Sequence, residues 1–123
     1  MLQPIEMDEH VPLADQLMNE VGPVILVNIF KVHPNDADGL LQAWAADAAY
    51  LKTKPGFIST QLHRGIAGSG TFLNHAVWES VQAFRDAFSD AQFQATWGRH
   101  PDSTVASPHL FQKVAVPGSC IDR

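Results

Sequence analysis

At 123 residues the chain has room for one domain with a single core of ordinary size. It is 46% hydrophobic and 17% charged, which excludes a disordered or low-complexity protein. Eight basic and 13 acidic residues give a net charge of −5, and the basic ones are scattered, which argues against nucleic-acid binding along an electrostatic stripe. Cys120 stands alone, so neither an intrachain disulfide nor a thiolate metal cluster can form. The N-terminus has no basic run leading into an apolar one, and no stretch approaches the length of a membrane span. A cytoplasmic protein without membrane contact is the default expectation.

Residues 1–22 are mixed and acidic, with a short helix expected over Leu13–Asn19 and a stop at Gly22-Pro23. This stretch reads as an arm that packs on another surface, either the neighbouring subunit or the mouth of a pocket. A single domain over 23–117 and a frayed tail over 118–123 follow. From Val24, VILVNIFKV is β-branched and predicts a first domain strand. The turn signal HPNDADG offers Asn35 or Asp36 as an N-cap. Leu40, Leu41, Trp44, Ala48 and Leu51 then recur at helical spacing, predicting an amphipathic helix to about Thr53, stopped by Lys54-Pro55-Gly56.

Phe57–Arg64 predicts a second strand, Gly65–Gly70 a loose hairpin connection, and Thr71–Trp78 a third strand. Ser80 is the natural N-cap of a second helix carrying Val81, Phe84, Ala87 and Phe88 on one face. A break at Ser89-Asp90 leads into a short helix with Phe93 and Trp97, then a loop over 98–107 and a fourth strand from His109 to Val116. The order β-α-β-β-α-β is the split βαβ, ferredoxin-like arrangement: an α+β fold with one antiparallel sheet covered by helices on one face. Its first and third strands are central neighbours. The helix-free face needs cover, and a homodimer closing two sheets together into an α/β barrel supplies it.

Asparagine is uncommon in strands and needs hydrogen-bond partners when buried, yet Asn28 and Asn74 fall inside two of them. Strand alternation puts Asn74, Ala76 and Trp78 on one face and Leu73, His75 and Val77 on the other. Leu26, Asn28 and Phe30 go together on the first strand. If the two strands pair, the amides lie side by side toward the helices, with small Ala76 leaving room beside Trp78. They then either satisfy each other or a buried water, or they line a pocket in which an amide donates to an oxyanion and an indole stacks on a flat ring. Tyr50, Phe84, Phe88, Phe93 and Trp97 fit a helix-to-sheet core or the walls of an aromatic pocket.

The six histidines have no metal-binding spacing on one helix. His63 and His75 lie on adjacent strands and suit packing or an interface. The glycines at 65, 68 and 70 lie between two strands, so a phosphate-loop reading fails, and no serine sits in a nucleophile elbow.

Asn28-Ile29-Phe30-Lys31, Pro55-Gly56-Phe57, Asn74-His75-Ala76-Val77-Trp78-Glu79-Ser80 and Ala83-Phe84-Arg85 resemble the antibiotic biosynthesis monooxygenase superfamily over about residues 23–116. The chain looks closest to the small anthrone oxygenases of aromatic polyketide pathways. That resemblance implies a homodimer that uses neither metal nor organic cofactor and oxidises an anthrone or phenol to a quinone with O2. It implies that Asn28, Asn74 and Trp78 are catalytic and that Phe30, Trp44, Phe84, Phe88 and Trp97 bind substrate. Some relatives carry a tyrosine where Phe84 stands, so a tyrosine proton role does not transfer. Other members of the superfamily degrade haem and place an iron-ligating histidine in the second helical region; here Trp97 stands there, with His100 a turn beyond. The same fold also serves as a non-redox ligand-binding or cyclising scaffold.

Overall fold

A computed structural model describes residues 2–122. Its central sheet is built from β2 (Val24–Lys31), β3 (Phe57–Arg64), β4 (Thr71–Trp78) and β5 (Val105–Phe111), with a two-residue β1 (Gln3–Pro4) at one edge. The strand order is β1-β5-β2-β4-β3. Without β1, this is the ferredoxin-like order, with the first and third domain strands at the centre. Helices α2 (Ala37–Leu51), α3 (Val81–Phe88) and α4 (Ala91–Ala95) follow the strands as expected, and α1 (Leu13–Gln16) lies in the N-terminal stretch.

Local chemistry accounts for the helix starts. The Ser80 hydroxyl accepts from Ala83 N–H at 3.1 Å and caps α3. Asp36 occupies the N-cap position of α2 but makes no capping bond; its carboxylate accepts from Ser103 Oγ at 2.7 Å. A single 3-10 turn, Pro34–Asp36, precedes α2, and the His33 ring nitrogen accepts from Asn35 N–H. On α2, Leu40 is fully buried and Ala43 nearly so, whereas Leu41, expected inward, is 38% exposed.

Two expectations are corrected. The last strand begins at Val105 and ends at Phe111, rather than running from His109 to Val116. Its partner β2 starts at Val24, opposite the end of β5, so nothing remains for residues 113–116 to pair with. Pro108 is tolerated because β1 covers only Val105 and Ala106, leaving β5 as an edge beyond them. The tail bends back instead, with Val116 and Cys120 exchanging backbone bonds of 2.9 and 3.0 Å.

The N-terminal arm lies on its own chain's sheet. Gln3–Pro4 pairs in parallel with β5, making five strands where four were expected. The Gln16 amide imitates a strand: Nε2 donates to Leu110 O, and Oε1 accepts from Leu110 N–H, both at 2.9 Å. Arg85 on α3 reaches back to Leu17 O at 2.6 Å and Glu20 at 2.9 Å. Leu13 is 8% exposed within the main core cluster, beside Val24, Leu26, Trp78 and Phe84.

The turn into β3 depends on Gly56. Its φ is +86°, and a Cβ there would stand 2.4 Å from Ala83 Cβ on α3, while Gly56 O accepts from Glu79 N–H at 2.8 Å. Gly56→Ala is expected to destabilise the fold by at least about 1–3 kcal/mol, the cost of a strained backbone alone. A lower urea midpoint at unchanged slope is the measurement; an unchanged midpoint would refute this account of the turn.

Candidate active site

The two central strands pair in the register that sets Asn28 directly opposite Asn74, Leu26 opposite Ala76, Val24 opposite Trp78 and Phe30 opposite Phe72. Opposed residues in an antiparallel pair have Cβ atoms about 4.5–5.5 Å apart. The two amides therefore form one cross-strand unit on the helix-covered face. Core packing is interrupted there. One buried cluster gathers around Leu26, Ala76, Trp78 and Phe84, and another around Phe30, Leu40 and Phe72.

Between them lies a cavity lined from the sheet by Asn28, Phe30, Thr60, Asn74 and Trp78. From the helices it is lined by Trp44, Asp47, Phe84, Phe88 and Phe93. The cavity between these side chains has a volume of about 50 Å³. The site is a narrow slot between aromatic walls, suited to a flat molecule.

Seven of the eight residues expected here from the sequence line the slot: Asn28, Asn74, Trp78, Phe30, Trp44, Phe84 and Phe88. Trp97 does not. It stands behind the wall, 5.6 Å from the Phe88 ring and 6.1 Å from the Phe93 ring. The chain tightens from α4 into a 3-10 turn at Thr96–Arg99, so the four-residue step from Phe93 no longer returns to the same face. Phe93 takes the place at the cavity.

The polar atoms are held unevenly. Thr60 Oγ1 donates to Asn74 Oδ1 at 2.6 Å, which fixes the amide and leaves Nδ2 as its donor. Asn28 Oδ1 and Trp78 Nε1 are buried with no hydrogen-bond partner among the described residues. Trp78 is 1% exposed, with its ring edge-on to Phe57 at 5.4 Å and Phe84 at 5.9 Å. Buried polar groups are nearly always bonded, so such atoms around one cavity point to a ligand.

Residues 23–98 match the family described as antibiotic biosynthesis monooxygenase. The chain belongs to that family. Deoxynogalonate monooxygenase of Streptomyces nogalater is 32% identical over 74 residues, which cover 60% of this chain and 62% of that protein, short of two thirds of its length. SnoaB, a cofactor-independent oxygenase from Streptomyces nogalater, matches with a TM-score of 0.69 at 26% identity, over 80% of this chain and all of SnoaB. PA3566 from Pseudomonas aeruginosa shares the fold, with a TM-score of 0.65 at 18% identity over 77% of this chain and 97% of that one.

In this family member, two residues of the slot escape a reading based on strict periodicity. A β-bulge between Phe57 and Ser59 resets the alternation of β3, so Phe57 and Thr60 share the inward face although they are three apart. Asp47 falls on the inward stripe of α2, at the step between Leu40, Trp44 and Leu51, and a carboxyl on an apolar stripe is the signal that would have found it. Its Oδ2 lies 2.8 Å from Nε2 of His100, and both residues are buried. No helix is long and apolar enough to cross a membrane, and the described residues contain no cluster of three or more His, Cys, Asp or Glu side chains able to hold a metal ion.

Phe93 is held at the cavity by the capping of α4. Asp90 Oδ2 accepts from Phe93 N–H at 3.0 Å and from the Tyr50 hydroxyl at 2.6 Å, and Lys54 Nζ lies 3.5 Å from Oδ1. The Tyr50 bond above all, then the Phe93 N–H and the lysine, pull the Asp90 carboxyl below its usual range. A folded-state value below the unfolded one stabilises the fold above the unfolded value, and this is lost as pH falls through the folded one. Wild type is therefore expected to exceed Asp90→Ala in melting temperature near neutral pH, and the gap to close as pH drops below about 4. A gap independent of pH would refute the role of the charged cap.

Proposed function

We propose that the slot is the active site of a cofactor-independent monooxygenase that uses O2 to oxidise an electron-rich aromatic ketone or phenol, of the anthrone type, to a quinone. The opposed pair Asn28–Asn74 on the floor of an apolar slot carries this reading. Family membership and the likeness to a cofactor-independent oxygenase support it.

The chemistry is balanced as follows. The substrate loses a proton, and the bonding pair stays behind as a delocalised enolate. One electron passes to O2, and the two radicals combine to form a C–O bond. In the resulting peroxide anion the remaining C–H proton passes to the distal oxygen as the O–O bond breaks, so that hydroxide leaves and the carbon keeps the proximal oxygen as the carbonyl. One oxygen atom enters the product and the other leaves as water. Negative charge therefore sits on oxygen at each stage. Amide N–H groups of Asn28 and Asn74 and the indole N–H of Trp78 donate to it in surroundings where such bonds are strong. The aromatic walls orient the ring and keep out water that would carry off reduced oxygen.

Loss of one preorganised donor costs about 10²–10³ in turnover. Asn74→Ala is expected to lower oxygen uptake with dithranol by that factor while the far-UV spectrum and melting temperature hold. Undiminished uptake in that variant, or none by the wild type with anthrones, would remove the basis of the assignment.

We propose further that two copies close their helix-free faces together. Ile25, Val27, Ile29, Leu73 and Val77 lie on that face, each only partly buried. His75 lies among them, exposed. A half-covered apolar sheet face of this kind calls for a partner. Val27→Glu on the central strand is expected to shift the protein from dimer to monomer in sedimentation. A wild type that sediments as a monomer at micromolar concentration would refute the pairing.

A further inference from the structure

The oxygenase reading requires a group that takes the first proton, and this inference rests on that reading. Asp47 is the lining residue with a carboxyl; no other side chain around the slot is a carboxyl, imidazole, phenol, thiol or amine. Tyr50, the nearby phenol on α2, is engaged with Asp90 and does not line the cavity. Asp47 is only 8% exposed. Burying a carboxyl in apolar surroundings is costly unless its oxygens are bonded, and only one of them is. Oδ2 is held by His100, whereas Oδ1 is buried with no partner among the described residues.

His100 is built to hold the carboxyl in one orientation. It is 3% exposed, and its ring lies nearly parallel to Phe30, 6.0 Å away at 6°. Nδ1 has no partner among the described residues, so the hydrogen-bond network assigns the imidazole hydrogen to Nε2, which donates it to Asp47. That leaves Oδ1 as the oxygen without a partner on a residue of the helix wall, with the amide pair on the sheet side of the same slot.

We propose that Asp47 is the proton acceptor of the reaction and that His100 is its positioning residue. Asp47 Oδ1 takes the proton from the acidic C–H or phenol O–H, and the substrate keeps the electron pair. When the peroxide collapses, the departing hydroxide takes that proton back from Asp47 as water. The carboxylate is restored, so no outside reductant is needed and O2 is the sole oxidant.

The test uses the full-length protein, steady-state oxygen uptake with dithranol, and thermal melting of each variant. Asp47→Asn keeps shape and an acceptor for His100 but removes the base. It is expected to lower kcat by about 10²–10⁴ with KM little changed. Turnover should recover as pH rises past the substrate's own ionisation, since the anion then enters ready-made. Among the described residues, His100 is the titratable side chain hydrogen-bonded to Asp47, so the pH series is run in parallel in His100→Gln. His100→Gln retains an N–H donor and should keep most of the activity, whereas His100→Leu should fall toward Asp47→Asn. Asp47→Asn, which keeps an oxygen for the His100 N–H, should melt close to wild type, so that its loss of turnover is not a loss of fold.

Wild-type turnover in Asp47→Asn overturns the inference and leaves the oxygenase reading standing. A loss that high pH does not restore also overturns it, and points to a structural carboxyl. A wild type that consumes no oxygen with anthrones removes the oxygenase reading and this inference together.

Discussion

The pairing register of β2 and β4 is the constraint from which the rest of the site follows. Because side chains alternate with a period of two, a slip of β2 by one residue would send Val27 and Ile29 toward the helices and put Asn28 on the face opposite Asn74. The observed register places four matched pairs inward, from Val24 with Trp78 to Phe30 with Phe72. The apolar members on either side of Asn28 and Asn74 hold that register in place. The polar pair contributes little to it and depends on it entirely. Small Ala76, set between Asn74 and Trp78, keeps the floor of the slot open.

Such an opening weakens a small core. The slot divides the apolar interior into two clusters and leaves polar atoms of Asn28, Asp47 and Trp78 unpaired among aromatic rings. Three of the six buried side-chain atoms without a partner among the described residues belong to residues that line this slot, the others to His100, Thr104 and His109, and such violations gather where function resides. Compensation lies at the periphery. The N-terminal arm adds Leu13 to the larger cluster, and Gln16 supplies two strand-like bonds to the outer edge of β5. Arg85 ties α3 to the same arm. These bonds brace the edge of the sheet and the outer side of α3 without entering the cavity.

Asn28, Asn74 and Trp78 on the sheet and Trp44, Phe84 and Phe88 on the helices were legible in the sequence, whereas Thr60, Asp47 and the place of Trp97 were not, each for a physical reason. Strands β2, β3 and β4 lie at the predicted positions because β-branched runs, Pro55-Gly56 and the Gly65–Gly70 connection delimit them sharply. Period two then gives Asn28, Asn74 and Trp78 a common face without any tertiary knowledge. Thr60 was hidden by a bulge, whose extra residue leaves no trace in the pattern. Trp97 was misplaced by a local tightening of the helix that its sequence does not announce. β1 is two residues long and carries no period at all, and Pro108 disguised the start of β5. Asp47 was passed over because an apolar stripe was sought on α2 and the one charged member of that stripe was set aside.

The two halves differ in chemistry as well as legibility. Hydrogen-bond donors converge from the sheet, whose register is fixed by ladders on both sides of β2 and on both sides of β4. The carboxyl comes from α2, which is free to differ in its inward residues without disturbing any ladder. In the proposed reaction the donors serve every substrate alike, since each places negative charge on oxygen. The proton to be removed changes position with the ring system, and so does the wall that orients it. Rigid strands are then the natural home of the shared task, and helices the natural home of whatever distinguishes one substrate from another. In that proposal the walls formed by Trp44, Phe84, Phe88 and Phe93, rather than the asparagines, are the place where ring shape is read.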